Sequence, residues 1–187
     1  MYRRAAVFLL VALFSITLSS CRTSRCCVNP RKLDAVTGAT RTGKFAVLHL
    51  PKREAVKKVA DFLSQAGPFF FATVEVDQPR VRPIGIFMQH DEKIWFHVGK
   101  HKDSYRQLIE NPPVELVSMG KNGEWIRITG RAVPKDDPDV DKATFEKAPG
   151  LKKIYNEESG LTLGHFYISC GTAEIAGSDG TVARFEF

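Results

Sequence analysis

Two arginines and one short basic loop are the groups in this chain best placed to hold an anion. Arg80 and Arg82 stand two apart in Gln78-Pro79-Arg80-Val81-Arg82-Pro83, a stretch that reads as a strand. Residues i and i+2 of a strand leave from one face, so both guanidiniums can converge on a single anion. Further along, Lys100-His101-Lys102-Asp103-Ser104 opens a predicted helix. The unpaired N–H groups of a helix start, joined by a lysine and a hydroxyl, make a ready phosphate site. Both groups have plainer readings, an exposed salt-bridged strand for the arginines and a solvated loop for Lys100 and Lys102. Trp125 either stacks on a planar ligand or fills the core. His165 reads as a strand residue with a satisfied side chain, and Phe69-Phe70-Phe71 as core. The sequence shows no catalytic dyad or positioned nucleophile. Its five histidines and four cysteines have no metal-ligand spacing.

The elements that must position these side chains become regular from residue 52. Lys52 to Gln65 carries Val56, Val59, Ala60 and Leu63 at helical spacing, and Gly67-Pro68 stops it. Strands rich in aromatic and β-branched residues are predicted at Phe69–Val76, Arg80–Gln89, Lys93–Val98, Val114–Met119, Glu124–Val133, His165–Ile175 and Thr181–Phe187. Several turns between them are short, such as Asp77-Gln78-Pro79 and Lys121-Asn122-Gly123. Lys102 to Asn111 is a helix ended by Pro112-Pro113, and Asp139 to Tyr155 a helical stretch broken at Pro149-Gly150. Seven strands with short turns and marginal helices predict a mainly β fold, a small antiparallel barrel.

With 187 residues the chain suits one domain, and 43% hydrophobic against 26% charged residues excludes wholesale disorder. The formal charge of +6 is concentrated at the start. Residues 1–50 hold eight Lys or Arg against one acidic residue, whereas the rest hold nineteen against twenty. A near-neutral globular part has no footprint for a polyanion, which argues against nucleic acid as a partner.

Residues 1–20 read as a signal. Arg3 and Arg4 precede an apolar and hydroxyl run of 14 residues, Ala5 to Leu18. That is short of the roughly 20 residues that span a bilayer. Leu18-Ser19-Ser20-Cys21 resembles the bacterial lipobox. The resemblance implies cleavage before Cys21, lipid on its sulfur, and a membrane-anchored lipoprotein of the bacterial cell envelope. Residues 21–51 then read as a flexible tether and 52–187 as the folded domain. Adjacent Cys26 and Cys27 are poorly placed to bond each other, and Cys170, in a predicted strand, reads as a small buried hydrophobe.

Within the tether, Asp34-Ala35-Val36-Thr37-Gly38-Ala39-Thr40-Arg41-Thr42 resembles, at every motif position, the flavinylation motif Asp-x-x-(Ser/Thr)-Gly-Ala-(Ser/Thr)-x-(Ser/Thr) of exported redox proteins. In that family a flavin transferase joins FMN through its phosphate to a threonine hydroxyl, which here is Thr40. The residue types suit the reaction. Gly38 and Ala39 leave the backbone open to an enclosing enzyme, and Asp34 and Thr37 can hold a local turn by bonding nearby amides.

Residues 53–187 resemble the pyridoxamine-phosphate-oxidase-like, FMN-binding split-barrel family. The matching pieces, in order, are Phe71-Ala72-Thr73-Val74, Gln78 to Pro83, Ile94-Trp95-Phe96-His97-Val98-Gly99, Lys100 to Ser104, Asn111-Pro112-Pro113-Val114 and Trp125-Ile126-Arg127-Ile128-Thr129-Gly130. The resemblance implies a homodimer with FMN in the cleft between subunits. It places cofactor contacts on Arg80, Val81, Arg82, Pro83, Ile84, His97, Val98, Gly99, Lys102 and Ser104, with Trp125 a candidate to stack on the isoalloxazine.

These observations favour an exported flavoprotein that passes electrons to an unidentified redox partner through FMN at Thr40. Two other readings stay open: a flavin-dependent reductase of a small substrate with noncovalent FMN, and a non-catalytic module for flavin, haem or another planar ligand. Twelve residues separate Thr40 from Lys52. Extended, they cover at most about 40 Å, against a domain radius of roughly 15 Å, so both clefts of a dimer are expected within reach.

Overall fold

The structure is a computed structural model and describes residues 45–187. The signal, Cys21 and the Thr40 motif lie outside the described residues. One sheet organises the rest. Its strands are β1 (Phe45–Val47), β2 (Phe69–Glu75), β3 (Gln78–Ile84), β4 (Phe87–His90), β5 (Lys93–Gly99), β6 (Pro113–Met119), β7 (Trp125–Pro134), β8 (Leu163–Ala176) and β9 (Val182–Glu186). Three helices lie at its margins: α1 (Lys52–Gln65), α2 (Asp103–Glu110) and α3 (Pro138–Lys147), the last continued by a 3₁₀ turn at Pro149–Lys153. The strand order is β1-β9-β8-β7-β6-β2-β3, with β5 on the first half of β8 and β4 on β5. This is the mainly β fold that the strand-and-turn pattern predicts, in the split-barrel form that the family resemblance implies.

The core explains the closure. Alternate residues of each strand point inward, where Phe71, Phe96, Phe166, Ile126, Ile128 and Leu116 are almost wholly buried. The Phe96 and Phe166 rings stack with centroids 5.8 Å apart. α1 lays Ala55, Val56, Val59, Ala60 and Leu63 against this cluster, the apolar stripe its spacing predicts. α3 starts cleanly because Pro138 sits in its first turn and the Asp137 carboxylate accepts from the amides of Asp139 and Val140.

Four features differ from the sequence reading. Phe70 is 49% exposed rather than core, since a strand places it opposite Phe69 and Phe71. The single strand predicted at Arg80–Gln89 is two. β3 pairs with β2 and β4 with β5, so the chain crosses between sheet edges at Gly85-Ile86. Cys170 is only partly buried and sits at φ 50°, where the β7–β8 register shifts between Thr129 and Arg131. A side chain at Gly130, in that shift, would meet Ile168 and come within 2.9 Å of the Ser169 carbonyl. Finally, Phe45–Val47 forms β1, paired in parallel with β9. Phe45 stands five positions after Thr40, whereas Lys52, where the sequence reading begins the folded part, stands twelve after it.

Among the described residues, no helix is long and apolar enough to cross a membrane.

Candidate functional site

A cleft of about 290 Å³ opens where β3 ends, β5 ends and α2 begins. It is lined by Arg82, Pro83, Ile84, Gly85, Ile86, His97, Val98, Lys102, Ser104, Leu151, Tyr155 and Leu163. Local geometry puts these residues there. β3 must leave its partner strand at Gly85, which exposes its last turn of side chains. β5 ends at Gly99, where the Lys102 amide donates to the Gly99 carbonyl and turns the chain into α2. That turn sets Lys102 at the N-cap of α2 and Ser104, itself buried, in its first turn.

Arg82 is the most informative group. Its Nη1 donates to Thr73 Oγ1 at 2.8 Å and its Nη2 to Gln107 Oε1 at 3.0 Å. Thr73 Oγ1 in turn donates to the same Gln107 oxygen at 2.6 Å. Both acceptors are neutral, so the fork is oriented without being neutralised. Burial, and then the like charge of Arg80, lower the pKa of Arg82 from its usual value. A half-buried cation held only by neutral oxygens is poised for an anion. Arg80 differs. It turns to Glu75, with Nε and Nη2 at 3.0 and 2.9 Å from Oε2. Arg106 holds the other oxygen of that carboxylate at 2.7 Å.

His97 forms part of the cleft wall and is held from behind. Its Nδ1 lies 2.8 Å from Nδ1 of His165, the residue directly opposite on β8. His165 Nε2 lies 3.0 Å from Asp141 Oδ1, and His97 Nε2 lies 3.3 Å from Thr144 Oγ1. Burial first, then the neighbouring His165 and Lys147, push the His97 pKa down to about 3. It is a neutral wall and contributes no cation at physiological pH. On the far side, burial raises the pKa of Tyr155. A side chain at Gly99 would come within 2.6 Å of the His101 ring and 2.8 Å of the Tyr155 hydroxyl, so both side chains would have to shift to admit one.

The fold thus gathers seven of the sequence-predicted residues in one cleft: Arg82, Pro83, Ile84, His97, Val98, Lys102 and Ser104. Gly99 adjoins them. Arg80 and Val81 are outside the lining, and Trp125 lies on another face. There it packs with Phe45, Ala176 and Val182 and stacks on the Arg127 guanidinium, 5.1 Å from ring to charge centre. His165 is a satisfied strand residue, as read from the sequence. Sequence reasoning missed Thr73 and Gln107, which aim Arg82, and Leu151, Tyr155 and Leu163, which close the far side. None carries a local signal, since each matters only through a neighbour distant in the chain. A wider depression of about 740 Å³ lies beyond Gly85-Ile86, but its one cation, Lys147, already donates to the Phe87 carbonyl.

A split barrel with a cation-lined cleft at the start of a helix defines the class of protein. The chain belongs to the pyridoxamine 5'-phosphate oxidase family, whose pattern matches residues 55–162. It is similar to a NimC/NimA family protein of Clostridium acetobutylicum, with 33% identity over 73% of this chain and 94% of that one and a TM-score of 0.67. Two more distant structures share the fold alone. They are a haem-binding protein of Mycobacterium smegmatis (12% identity, 73% of this chain and 58% of that one, TM-score 0.54) and general stress protein 26 of Bacillus anthracis (15%, 65% and 93%, 0.52). Among curated proteins, none matches the chain.

Proposed function

We propose that this protein is an exported, lipid-anchored flavoprotein that carries electrons through FMN joined by its phosphate to Thr40 and docked in a barrel cleft. The observation that carries the flavin site is Arg82, a guanidinium fixed by Thr73 and Gln107 with no carboxylate touching it among the described residues. Lys102 and the buried Ser104 stand beside it at the start of α2. Esterification removes one charge from the phosphate, so one or two cations and a helix start are enough to hold it. When bound, FMN supplies the redox chemistry. Arg82, Lys102 and Ser104 would hold the phosphate, and the neutral imidazole of His97 with Leu151, Tyr155 and Leu163 would form the rest of the wall.

The full Asp34 to Thr42 motif supports Thr40 as the acceptor, filled by a flavin transferase, and Leu18 to Cys21 supports the anchor. Exposed Phe70, Val81 and Met119 on one sheet face support a homodimer, since a monomer gains nothing by leaving them in water. Denaturation tests the covalent claim. Wild-type protein made with the transferase should keep its flavin in denaturant and gain the mass of one FMN less water, while Thr40→Ala should not. Flavin released on denaturation would instead favour a reductase with noncovalent FMN, and no flavin at all a module for another planar ligand.

A further inference from the structure

We propose that His165, His97, Asp141 and Thr144 form a proton-held latch, in which one proton stored on His165 as an imidazolium ties α3 to the barrel behind the cleft. The four side chains form one line between strand and helix. His97 of β5 and His165 of β8 stand directly opposite in register, with their Nδ1 atoms 2.8 Å apart. Asp141 and Thr144, one turn apart on α3, meet the other two ring nitrogens. His165 Nε2 lies 3.0 Å from Asp141 Oδ1, and His97 Nε2 lies 3.3 Å from Thr144 Oγ1. Both rings and Thr144 are buried, whereas the Asp141 side chain is 49% exposed. Asp141 also lines a surface depression of about 380 Å³ with Phe145, Tyr155 and Leu163. A proton on this line exchanges with solvent there.

Counting hydrogens along the line assigns the proton. The Thr144 hydroxyl has a single hydrogen, and its shortest contact is the Val140 carbonyl at 2.6 Å. Toward His97 it is then an acceptor, so His97 carries its hydrogen on Nε2 and leaves Nδ1 bare. His165 must donate from its own Nδ1. Its Nε2 faces a carboxylate oxygen, and two acceptors share no hydrogen bond, so Nε2 is protonated as well. His165 is therefore a cation paired with Asp141, and His97 is neutral. The pKa of His97, lowered to about 3 by burial and then by His165 and Lys147, agrees with a charge on its neighbour. Other charges near the pair are already engaged. Lys147 of α3 donates to the Phe87 carbonyl, Lys135 of the preceding loop pairs with Asp137, and Lys100 beyond β5 pairs with Asp136. From β4 comes the neutral Met88 against Thr144, and after the 3₁₀ turn comes the Tyr155 phenol at the cleft. Loss of the proton sets Nε2 against the carboxylate and releases Asp141 into solvent. α3 runs on into the turn that brings Leu151 and Tyr155 to the cleft, so the latch holds that wall.

Nitrogen-15 spectra of the histidine rings test this in the whole protein, with His165→Gln to assign the signals. At pH 7 His165 should show both nitrogens protonated and His97 only Nε2. A bare nitrogen on His165, with the His97 hydrogen on Nδ1, overturns the proposal, because Thr144 then donates to His97 and the line holds no extra proton. Asp141→Asn supplies a carboxamide that can donate to a bare Nε2, so His165 should become neutral there, with its hydrogen on Nδ1. Thr144→Val, a second variant of similar shape, removes the acceptor for His97 and should also leave His165 with one hydrogen. An imidazolium that persists in both variants overturns the assignment. Hydrogen exchange reads the latch itself. Corrected for the intrinsic rate, protection of the α3 amides in the wild type should fall roughly 10-fold or more between pH 6 and pH 9, the loss of one charge-assisted hydrogen bond. It should not fall in Asp141→Asn. Equal protection at both pH values in the wild type overturns the latch.

Discussion

Replacing Arg82 with alanine should weaken flavin binding far more than replacing Arg80. Both stand on β3 two residues apart, and the sequence treats them alike. Arg80 is committed to Glu75, at 2.9 Å, whereas Arg82 has only the neutral oxygens of Thr73 and Gln107. A charge-assisted contact contributes roughly 1.5–3 kcal/mol, so Arg82→Ala should raise the dissociation constant for free FMN roughly 10- to 150-fold. Arg80→Ala breaks an exposed ion pair and should change it by less than about threefold. The loss at Arg82 would not reflect unfolding. Thr73 still donates to Gln107 at 2.6 Å once the guanidinium has gone, so neither buried group is orphaned and the stability cost is about 1 kcal/mol. The assay is quenching of free FMN fluorescence on titration with Thr40→Ala protein, which leaves the cleft vacant, alongside a thermal melt. Equal losses from the two alanines, or no loss from Arg82→Ala, would refute the assignment of the phosphate site.

Three further outcomes follow from the same structure. His97 has a folded pKa lowered to about 3 from 6.5. The unfolded chain therefore binds more protons between those values, stability falls as pH drops through that window, and His97→Gln should flatten the fall in melting temperature. Phe166→Ala removes a ring packed on both Phe96 and Phe71 and should cost roughly 3–5 kcal/mol in urea unfolding. Cys21→Ser should leave the protein unprocessed or release it from membranes, and a wild-type protein fractionating wholly as soluble would refute the anchor.

The barrel was legible in the sequence because its signals are local. Aromatic and β-branched runs bounded by short turns fix the strands, and Gly67-Pro68 and Pro112-Pro113 end the first two helices. In the cleft, Arg82, Lys102 and Ser104 were legible because their residue types and spacing suit an anion, whereas His97 was reached only through the family resemblance. What was not legible is pairing across distance. The register that puts Arg80 opposite Thr73, two residues from Glu75, decides that this arginine is neutralised, and no local pattern carries it. β1 escaped for the same reason. Three residues show no alternation, and their partner lies at Val182–Arg184, near the other end of the chain. Phe70 is the reverse case, since strand period alone, applied to Phe69-Phe70-Phe71, would have turned it outward.

The polarity of the cleft limits what it can orient. Its cations and its hydroxyl collect around α2, with Arg82 tied to Gln107 of that helix and Lys102 and Ser104 at its start. Its remaining wall is uncharged, with His97 held neutral and Leu151, Tyr155 and Leu163 supplying apolar surface. A ligand with an anion at one end and a flat, mostly apolar body at the other meets both halves.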